Sequence, residues 1–217
     1  MRLDKNTYGT VIAVYVLSAA AIFALWCWVP QWWINLPLTL VLVWFCAWQT
    51  YFHMVPDRVP VGSDTRVSAV SDGKVVNIST VYEPLYLKRD AIMVSVYMDF
   101  WDLHANFWPV TGTVSYAEYF PGRHMLAFKP KASEENEHFC TAIRTAAGKE
   151  VLFKQLAGGF ARRIVCYAKE GMAVEAGAQC GIIKFGSRID YYLPTDARML
   201  VKVGDLVKGV TSLIAEI

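Results

Sequence analysis

A long stretch without any charged side chain limits what this chain of 217 residues can fold into. Residues 6–56 contain no Asp, Glu, Lys or Arg. Within the stretch, residues 8–29 form an apolar run long enough to cross a bilayer as a helix, and residues 36–52 form a slightly shorter run. Residues 30–35, between the runs, include two tryptophans, which favour the membrane–water interface. We therefore predict a helical hairpin over residues 1–56, either transmembrane or embedded in one leaflet.

The basic residues beside the hairpin predict its orientation. Arg2 and Lys5 precede the first run, and Arg58 and Arg66 follow the second. Because cytoplasmic flanks are enriched in Lys and Arg, we expect both ends of the hairpin on the cytoplasmic side of the cell membrane. The alternative is a secretory signal peptide with the small residues 18–21 as its cleavage region. The apolar sequence continues past those residues and a second run follows at once, which favours the hairpin.

Beyond the hairpin the charges are balanced. Of the 21 basic and 19 acidic residues, only Arg2, Asp4 and Lys5 lie before residue 57. Nucleic-acid binding needs clustered Lys and Arg, so we expect no nucleic-acid partner. The five cysteines include no Cys-x-x-Cys pair. Neither a metal site nor a disulfide framework is therefore predicted, and buried free thiols are expected instead.

Residues 57–217 have the pattern of a second domain made mainly of β-strands. Short β-branched runs such as residues 92–97 alternate with glycine turns such as Asp72-Gly73. Residues 134–146 are the one segment with helical character. We therefore predict a mainly β fold, a β-sandwich of short strands that follows the membrane hairpin.

A faint repeat lies in the last third of this domain. Residues 169–185 and 202–217 each read x-x-Gly-x-x-Val, then Gly, then an apolar strand. This form resembles the half-motif of biotinyl- and lipoyl-type β-sandwiches, in which two such halves interlock. The sandwich is therefore expected to contain two biotinyl/lipoyl-like half-motifs.

The dipeptide Gly186-Ser187 lies between two predicted strands, residues 182–185 and 189–194. On its own, a Gly-Ser pair is most often an ordinary turn. A tight bend between strands would strain the serine and let its hydroxyl attack the Gly186 carbonyl, which no side chain shields. β-Elimination from the resulting ester and loss of ammonia would leave a pyruvoyl group. The products would be a β chain of residues 1–186 and an α chain that begins at Ser187.

A pyruvoyl group made from the chain would act as a covalent cofactor. Its ketone forms a Schiff base with a substrate amine and accepts the electrons released when carbon dioxide leaves, as pyridoxal phosphate does in other enzymes. The sequence contains no G-x-G-x-x-G motif and no P-loop. The absence of these two cofactor-binding motifs is consistent with a cofactor that the chain makes for itself.

The sequence contains, in this order, the segments Asp72-Gly73, Asp102-Leu103-His104-Ala105-Asn106, Asn136-Glu137, Gln155-Leu156-Ala157-Gly158, Arg162-Arg163 and Phe185-Gly186-Ser187-Arg188. Together they resemble the short-form phosphatidylserine decarboxylases, which process themselves at a Phe-Gly-Ser site. The resemblance covers residues 67–194 and includes a membrane anchor in the usual place. Several motifs in the same order are more specific than any one of them.

This resemblance implies an enzyme, made as a zymogen, that converts phosphatidylserine to phosphatidylethanolamine and carbon dioxide. It implies that Ser187 is the pyruvoyl precursor, that Asp72 and a histidine assist self-cleavage, and that His104 and Asp102 lie near the substrate. Long-form members carry a second histidine where this chain has Phe107. The base that activates Ser187 is therefore left open, and one histidine could serve both stages.

Three further residues are candidates for binding the substrate. Arg188 follows the reactive serine, Arg163 is one of two adjacent arginines, and Asn106 belongs to the histidine segment. A guanidinium matches the geometry of a phosphate. Neighbouring residues of a strand point to opposite faces, so at most one of Arg162 and Arg163 is expected to line the site. The structural alternatives are an ion pair for Arg188 and a packing role for His104.

The sequence also leaves other functions open. A membrane-tethered β-sandwich adaptor or binding module would use the same half-motifs without catalysis, although no coiled-coil insertion is present. A hydrolase using Ser187, His104 and Asp72 would lack its G-x-S-x-G motif. A pyruvoyl decarboxylase for a soluble amino acid would have no need of a membrane hairpin.

The expected partners follow from the decarboxylase function that the resemblance implies. They are phosphatidylserine in the bilayer, the membrane itself, and the α and β chains of one precursor, which stay together. Assembly into an oligomer of identical chains is left open.

Overall fold

A helical hairpin forms the first of two compact units. The computed structural model describes residues 1–126, 132–159, 163–184 and 187–217, and its units are Met1–Pro56 and Asp57–Ile217. The hairpin consists of helix α1 (Tyr8–Trp28), helix α2 (Trp32–Phe52) and the paired strands β1 (Arg2–Leu3) and β2 (Met54–Val55). Each helix has 21 residues, about 31 Å of helix, which matches the thickness of a hydrocarbon core. The predicted hairpin is confirmed, and both helices are long and apolar enough to cross a membrane.

The second unit is mainly β, which confirms the predicted fold class. Among its described residues the one helix is the single turn α3 (Ala132–Glu135). Its strands are β3 (Arg66–Ser68), β4 (Gly73–Glu83), β5 (Arg89–Met98), β6 (Ala105–Phe107), β7 (Gly112–Phe120), β8 (His138–Arg144), β9 (Glu150–Ala157), β10 (Arg163–Cys166), β11 (Ala173–Val174), β12 (Gln179–Lys184), β13 (Ser187–Leu193), β14 (Arg198–Met199), β15 (Leu206–Val207) and β16 (Leu213–Glu216).

A curled sheet of eight strands forms the larger layer of this unit. Its strand order is β11-β7-β8-β9-β13-β5-β4-β15, and all its pairings are antiparallel. Two three-stranded sheets, β10-β12-β6 and β14-β16-β3, share an apolar core with it. Val96 and Ile189 contribute to this core from the large sheet, and Ile183 and Ile214 from the small sheets. The core therefore holds the small sheets against one face of the large sheet, and this is the face that carries the Ser187 side chain.

Two sets of strands in this unit repeat the same arrangement. One set is β6 to β12, and the other consists of β3 to β5 together with β13 to β16. In each set the long hairpin has a bulge, directly after Val75 in one and directly after Val114 in the other. The carbonyls of these two residues accept bonds of 2.8 Å from the N–H groups of Gly204 and Gly171, respectively. One set is therefore inserted into the other, between β5 and β13.

Local structure differs from the sequence-based expectation in several places. Helix α2 begins at Trp32, inside the expected connection 30–35, and the paired strands β4 and β5 are longer than expected, with 11 and 10 residues. The helical interpretation of residues 134–146 is wrong, because α3 ends at Glu135 and β8 takes up most of the segment. Cys140 and Ala142 of β8 pack in one apolar cluster while Ile143 packs in the other. A strand that buries both faces has no polar alternation and is easily mistaken for a helix.

Candidate active site

Ser187 is the first residue of β13, one of the two central strands of the large sheet. It pairs with Met98 of β5 on one side and with Ala157 of β9 on the other. Its side chain is completely buried, and its hydroxyl donates to the Met98 sulfur, a weak acceptor, at 3.7 Å. Strand β12 ends at Lys184 and β13 begins at Ser187, whereas Gly186 lies outside the described residues.

His104 is fully buried and lies against the strand that leads to Ser187. Its backbone carbonyl accepts a bond of 3.2 Å from the N–H of Ile183 in β12. Its Nδ1 lies 2.8 Å from the carbonyl oxygen of Asp102. A carbonyl can only accept, so Nδ1 carries the proton and Nε2 has the lone pair when the ring is neutral.

Asp102 belongs to the turn that holds His104. Its Oδ2 accepts a bond of 2.9 Å from the N–H of Asp99. Burial raises the pKa of Asp102 to about 6, and the negative charges of Asp99 and Asp72 act in the same direction. The bond from Asp99 N–H lowers this pKa but does not outweigh burial. Asp102 therefore changes charge close to neutral pH.

Asp72 is engaged in a structural network rather than held free in a turn. Arg58 donates to both of its carboxylate oxygens, with Nη2 at 2.8 Å from Oδ2. The N–H of Gly209 also donates to Oδ1 at 2.8 Å. Both side chains are mostly buried, so the pair ties the segment after the hairpin to the Asp72 turn. The charge of Asp72 reaches Asp102, which places the two carboxylates in one neighbourhood.

Asn106 and Gln155 form a buried amide pair on the core side of the large sheet. Gln155 Nε2 donates to Asn106 Oδ1 at 2.7 Å. Their other amide atoms, Asn106 Nδ2 and Gln155 Oε1, have no hydrogen-bond partner among the described residues. Gln155 pairs with Ile189, so its side chain shares a sheet face with the side chain of Ser187. An unused donor and an unused acceptor therefore lie in the same layer as the reactive serine.

Arg188 points to the opposite face of the sheet from Ser187, because successive side chains of a strand alternate. Its Nε lies 2.9 Å from Asp190 Oδ1, its Nη2 donates to Oδ2 at 3.0 Å, and Ser133 accepts a further bond. Both charged side chains are buried. The guanidinium lines a cavity of about 360 Å³ together with Ser95. Arg188 thus forms the ion pair that was the structural alternative to binding substrate, and it does so in the interior rather than at the surface.

Arg163 is exposed at the start of β10 and pairs directly with Lys184 of β12. Side chains of directly paired residues project from the same face, so two cations lie next to each other three residues before Ser187. The neighbouring Arg162 lies outside the described residues. Within the described ranges, no three His, Cys, Asp or Glu side chains gather in a group that could hold a metal ion.

The sequence interpretation missed three residues around these candidates. Gln155 stands beside Lys154 inside an otherwise apolar strand, and two adjacent polar residues in such a strand are a signal for a buried polar site. Met98 and Arg58 gave no comparable signal, because their contacts with Ser187 and Asp72 depend on the fold.

One family and many individual proteins are similar to the chain over most of its length. The family described as phosphatidylserine decarboxylase matches residues 45–215. A phosphatidylserine decarboxylase proenzyme of Amoebophilus asiaticus is 40% identical over 170 residues, which cover 78% of this chain and 76% of the relative. Proenzymes of the same name from Salinibacter ruber and Ralstonia pickettii are each 38% identical, the first over 88% of this chain and 85% of the relative, the second over 96% and 91%.

Proposed function

The chain belongs to the phosphatidylserine decarboxylase family, and from this membership we propose that it is a proenzyme that cuts itself between Gly186 and Ser187 and then decarboxylates phosphatidylserine to phosphatidylethanolamine. The observation that carries the proposal is the position of Ser187. A serine at the first position of a central strand, buried and paired on both sides, has its Cα fixed by two neighbouring strands.

That position suits a cut on the amino-terminal side of the serine. Every backbone pairing of β13 involves Ser187 or later residues, so breaking the preceding bond removes none of them. The new chain end would remain in the sheet, in a site from which bulk water is excluded. The buried atoms Asn106 Nδ2 and Gln155 Oε1 supply hydrogen-bonding capacity in the same layer. These features fit a pyruvoyl group at residue 187.

Self-cleavage requires the serine hydroxyl to lose its proton as it attacks the Gly186 carbonyl. The bond from Gly186 carbon to Ser187 nitrogen breaks while an ester to Ser187 Oγ forms. A base then removes the Cα proton of Ser187, the Cβ–Oγ bond breaks, and the Gly186 carboxylate leaves. The enamine that remains takes up water and releases ammonia, which yields the ketone. We assign the base in this sequence to His104, whose Nε2 carries the lone pair.

Asp102 and Asp72 act through position. Asp102 holds the His104 ring through its backbone carbonyl. Asp72, itself fixed by Arg58 and Gly209, helps self-cleavage by holding the turn before β4 in place. The second histidine that long-form relatives carry at the place of Phe107 is then not required, because His104 serves both stages.

In the mature enzyme a pyruvoyl group supplies an electron sink for the electron pair released with carbon dioxide. The residues of the chain bind and position the lipid headgroup. Arg163 offers its exposed guanidinium to the phosphate, beside the cation of Lys184. Asn106 and Gln155 orient polar groups of the serine headgroup with their unused amide atoms. Arg188 links β13 to Ser133 on the other sheet face and pairs with Asp190 of its own strand.

We further propose that the site works at the cytoplasmic side of the cell membrane. The hairpin supports this assignment, because two apolar helices of bilayer length are flanked by Arg2 and Lys5 at one end and Arg58 at the other. A tether of this kind keeps the second unit close to a substrate that does not leave the bilayer.

Mass spectrometry of the purified protein under denaturing conditions tests the proposal. We expect two chains, the smaller covering residues 187–217 with a pyruvoyl group in place of its amino terminus, and release of carbon dioxide from phosphatidylserine. Ser187→Ala should leave an intact, inactive chain of 24.4 kDa. Ser68→Ala is the matched control, since it removes another fully buried serine hydroxyl of the same unit and should be processed normally. An intact wild-type chain would favour the non-catalytic adaptor instead.

A further inference from the structure

Two exposed aromatic side chains stand on the turn between β5 and β6. The exposed fraction of Phe100 is 41% and that of Trp101 is 63%. The turn lies at the end of the large sheet that carries Ser187, because Met98, two residues before Phe100, pairs with the serine. It also leads directly to His104, whose ring is held by the Asp102 carbonyl. The turn therefore connects two parts of the candidate site.

The acidic residues of this turn are occupied with its own backbone. Asp99 Oδ1 accepts a bond of 2.8 Å from the N–H of Trp101, and Asp102 Oδ2 accepts one of 2.9 Å from the N–H of Asp99. A further bond of 3.3 Å runs from the N–H of Asp102 to the carbonyl of Asp99. These bonds fix a compact turn in which the carboxylates are turned back to the chain. The aromatic side chains form its exposed tip.

We propose that the Phe100-Trp101 turn docks into the interface of the bilayer and brings the site to phosphatidylserine in the membrane. This inference rests on the proposed function. Trp is favoured at the membrane interface, and Trp and Phe are both typical of the apolar face by which interfacial segments bury themselves in it. Docking at this turn would put the end of the sheet that carries Ser187 against the headgroup layer. The lipid headgroup then has only a short distance to move from the bilayer to Ser187.

The membrane is favoured over a protein partner because the chain already carries a tether. The two apolar helices hold the second unit close to a bilayer, so a further contact with the same bilayer is an intramolecular event. Under these conditions even a small contact through two aromatic side chains adds to the existing tether. A protein partner would have to supply the whole binding free energy from solution.

The test compares two forms of the substrate with the full-length enzyme reconstituted in phosphatidylcholine vesicles. In one assay phosphatidylserine is part of the vesicle, and in the other a short-chain phosphatidylserine is supplied as a water-soluble monomer. The double variant Phe100→Ser/Trp101→Ser should lose about tenfold in rate on vesicle substrate, as expected from the loss of two partly buried aromatic side chains. On the monomeric substrate its rate should stay within about twofold of the wild type.

Two controls complete this experiment. Tyr82→Ser removes an aromatic side chain of similar exposure, 60%, from the opposite end of the β4–β5 hairpin and should leave both rates unchanged. The conservative double variant Phe100→Tyr/Trp101→Phe should restore the rate on vesicles. Normal two-chain processing of each variant shows that it has folded.

The outcomes separate the docking inference from the function on which it rests. Equal loss on both substrate forms would mean that the turn only packs the site, and unchanged rates on vesicles would mean that it does not dock; either result overturns the inference. A wild-type enzyme that decarboxylates neither form overturns the proposed function, and the inference with it.

Discussion

The carboxyl group of Asp102 links the candidate site to pH. Its pKa is raised to about 6 by burial and by the charges of Asp99 and Asp72, whereas the model-compound value is 3.8. At pH values between 3.8 and about 6, the Asp102 carboxyl has released its proton in the unfolded chain but still holds it in the folded chain. The folded state thus binds more protons, and its stability falls as the pH rises through this window. Above the folded pKa the contribution is constant.

Asp102→Asn removes this dependence, which can be measured by urea unfolding in the uncut Ser187→Ala background. We expect the stability of the Asn variant relative to its parent to increase as the pH rises from about 4 to about 6 and then to level off. Because other titrating groups are common to both proteins, their effects cancel in the difference. A difference that does not vary with pH would contradict the assigned pKa.

At the residue scale the sequence singles out a candidate reactive position more readily than the contacts around it. Gly186-Ser187 lies between two predicted strands and its proposed self-cleavage follows from local chemistry, so this candidate can be named without a fold. The partner of Asp72 is 14 positions away and the partner of Asn106 is 49 positions away. Such contacts depend on strand pairing, which no short motif specifies.

Two glycines at the start of the long hairpins show how the repeated strands approach each other. A Cβ at Gly73 would lie 2.4 Å from the carbonyl oxygen of Tyr97, and one at Gly112 would lie 2.3 Å from that of Arg144. Backbone atoms cannot move aside as a flexible side chain can. The two positions are equivalent in the repeat, so the same close approach is used twice.

Gly112→Ala is therefore expected to destabilise the second unit by about 1–3 kcal/mol, because the added methyl group forces β7 and β8 apart. The measurement is urea unfolding, again in the uncut Ser187→Ala background. The neighbouring exposed substitution Thr113→Ala is the control and should change stability by less than about 0.5 kcal/mol. If Gly112→Ala and Thr113→Ala lower the free energy of unfolding by the same amount, close packing does not explain why position 112 is a glycine.

At the element scale, strands with a clear local signal were predicted and strands defined by their neighbours were not. The β-branched run 92–97 became part of β5, and the hairpin helices follow from an uncharged apolar stretch. Strand β8 was mistaken for a helix because both of its faces are buried. The faint repeat of residues 169–185 and 202–217 indicated two related halves, but the insertion of one set of strands between β5 and β13 depends on long-range pairing that no local pattern specifies.

For the molecule as a whole, the proposed cut converts one chain into two that are held together by strand pairing and the shared apolar core, without a covalent link. The segment 187–217 contributes β13 between β5 and β9, β15 beside β4, and β16 beside β3. Because β13 pairs on both sides, the segment should not leave the folded protein. Unfolding of the cut protein, however, releases two molecules.

The melting temperature of the cut enzyme should therefore depend on its concentration. We expect an increase of about 4 °C for each tenfold rise in concentration, since the two chains must meet again to refold. The uncut Ser187→Ala variant should show no such dependence, and calorimetry of both proteins over a hundredfold range of concentration measures the difference. Equal behaviour of the two would mean that the chains remain linked.

The position of β13 also determines when the surroundings of Ser187 form during translation. The ribosome releases β5 and β9 before β13, so for a time the nascent chain holds two partial sheets with an open edge on each. Ser187 acquires its neighbours Met98 and Ala157 only when β13 enters the gap between those edges. The last long strand to be translated is thus also the strand that carries Ser187, and under the proposed mechanism a polypeptide that stalls earlier cannot cut itself.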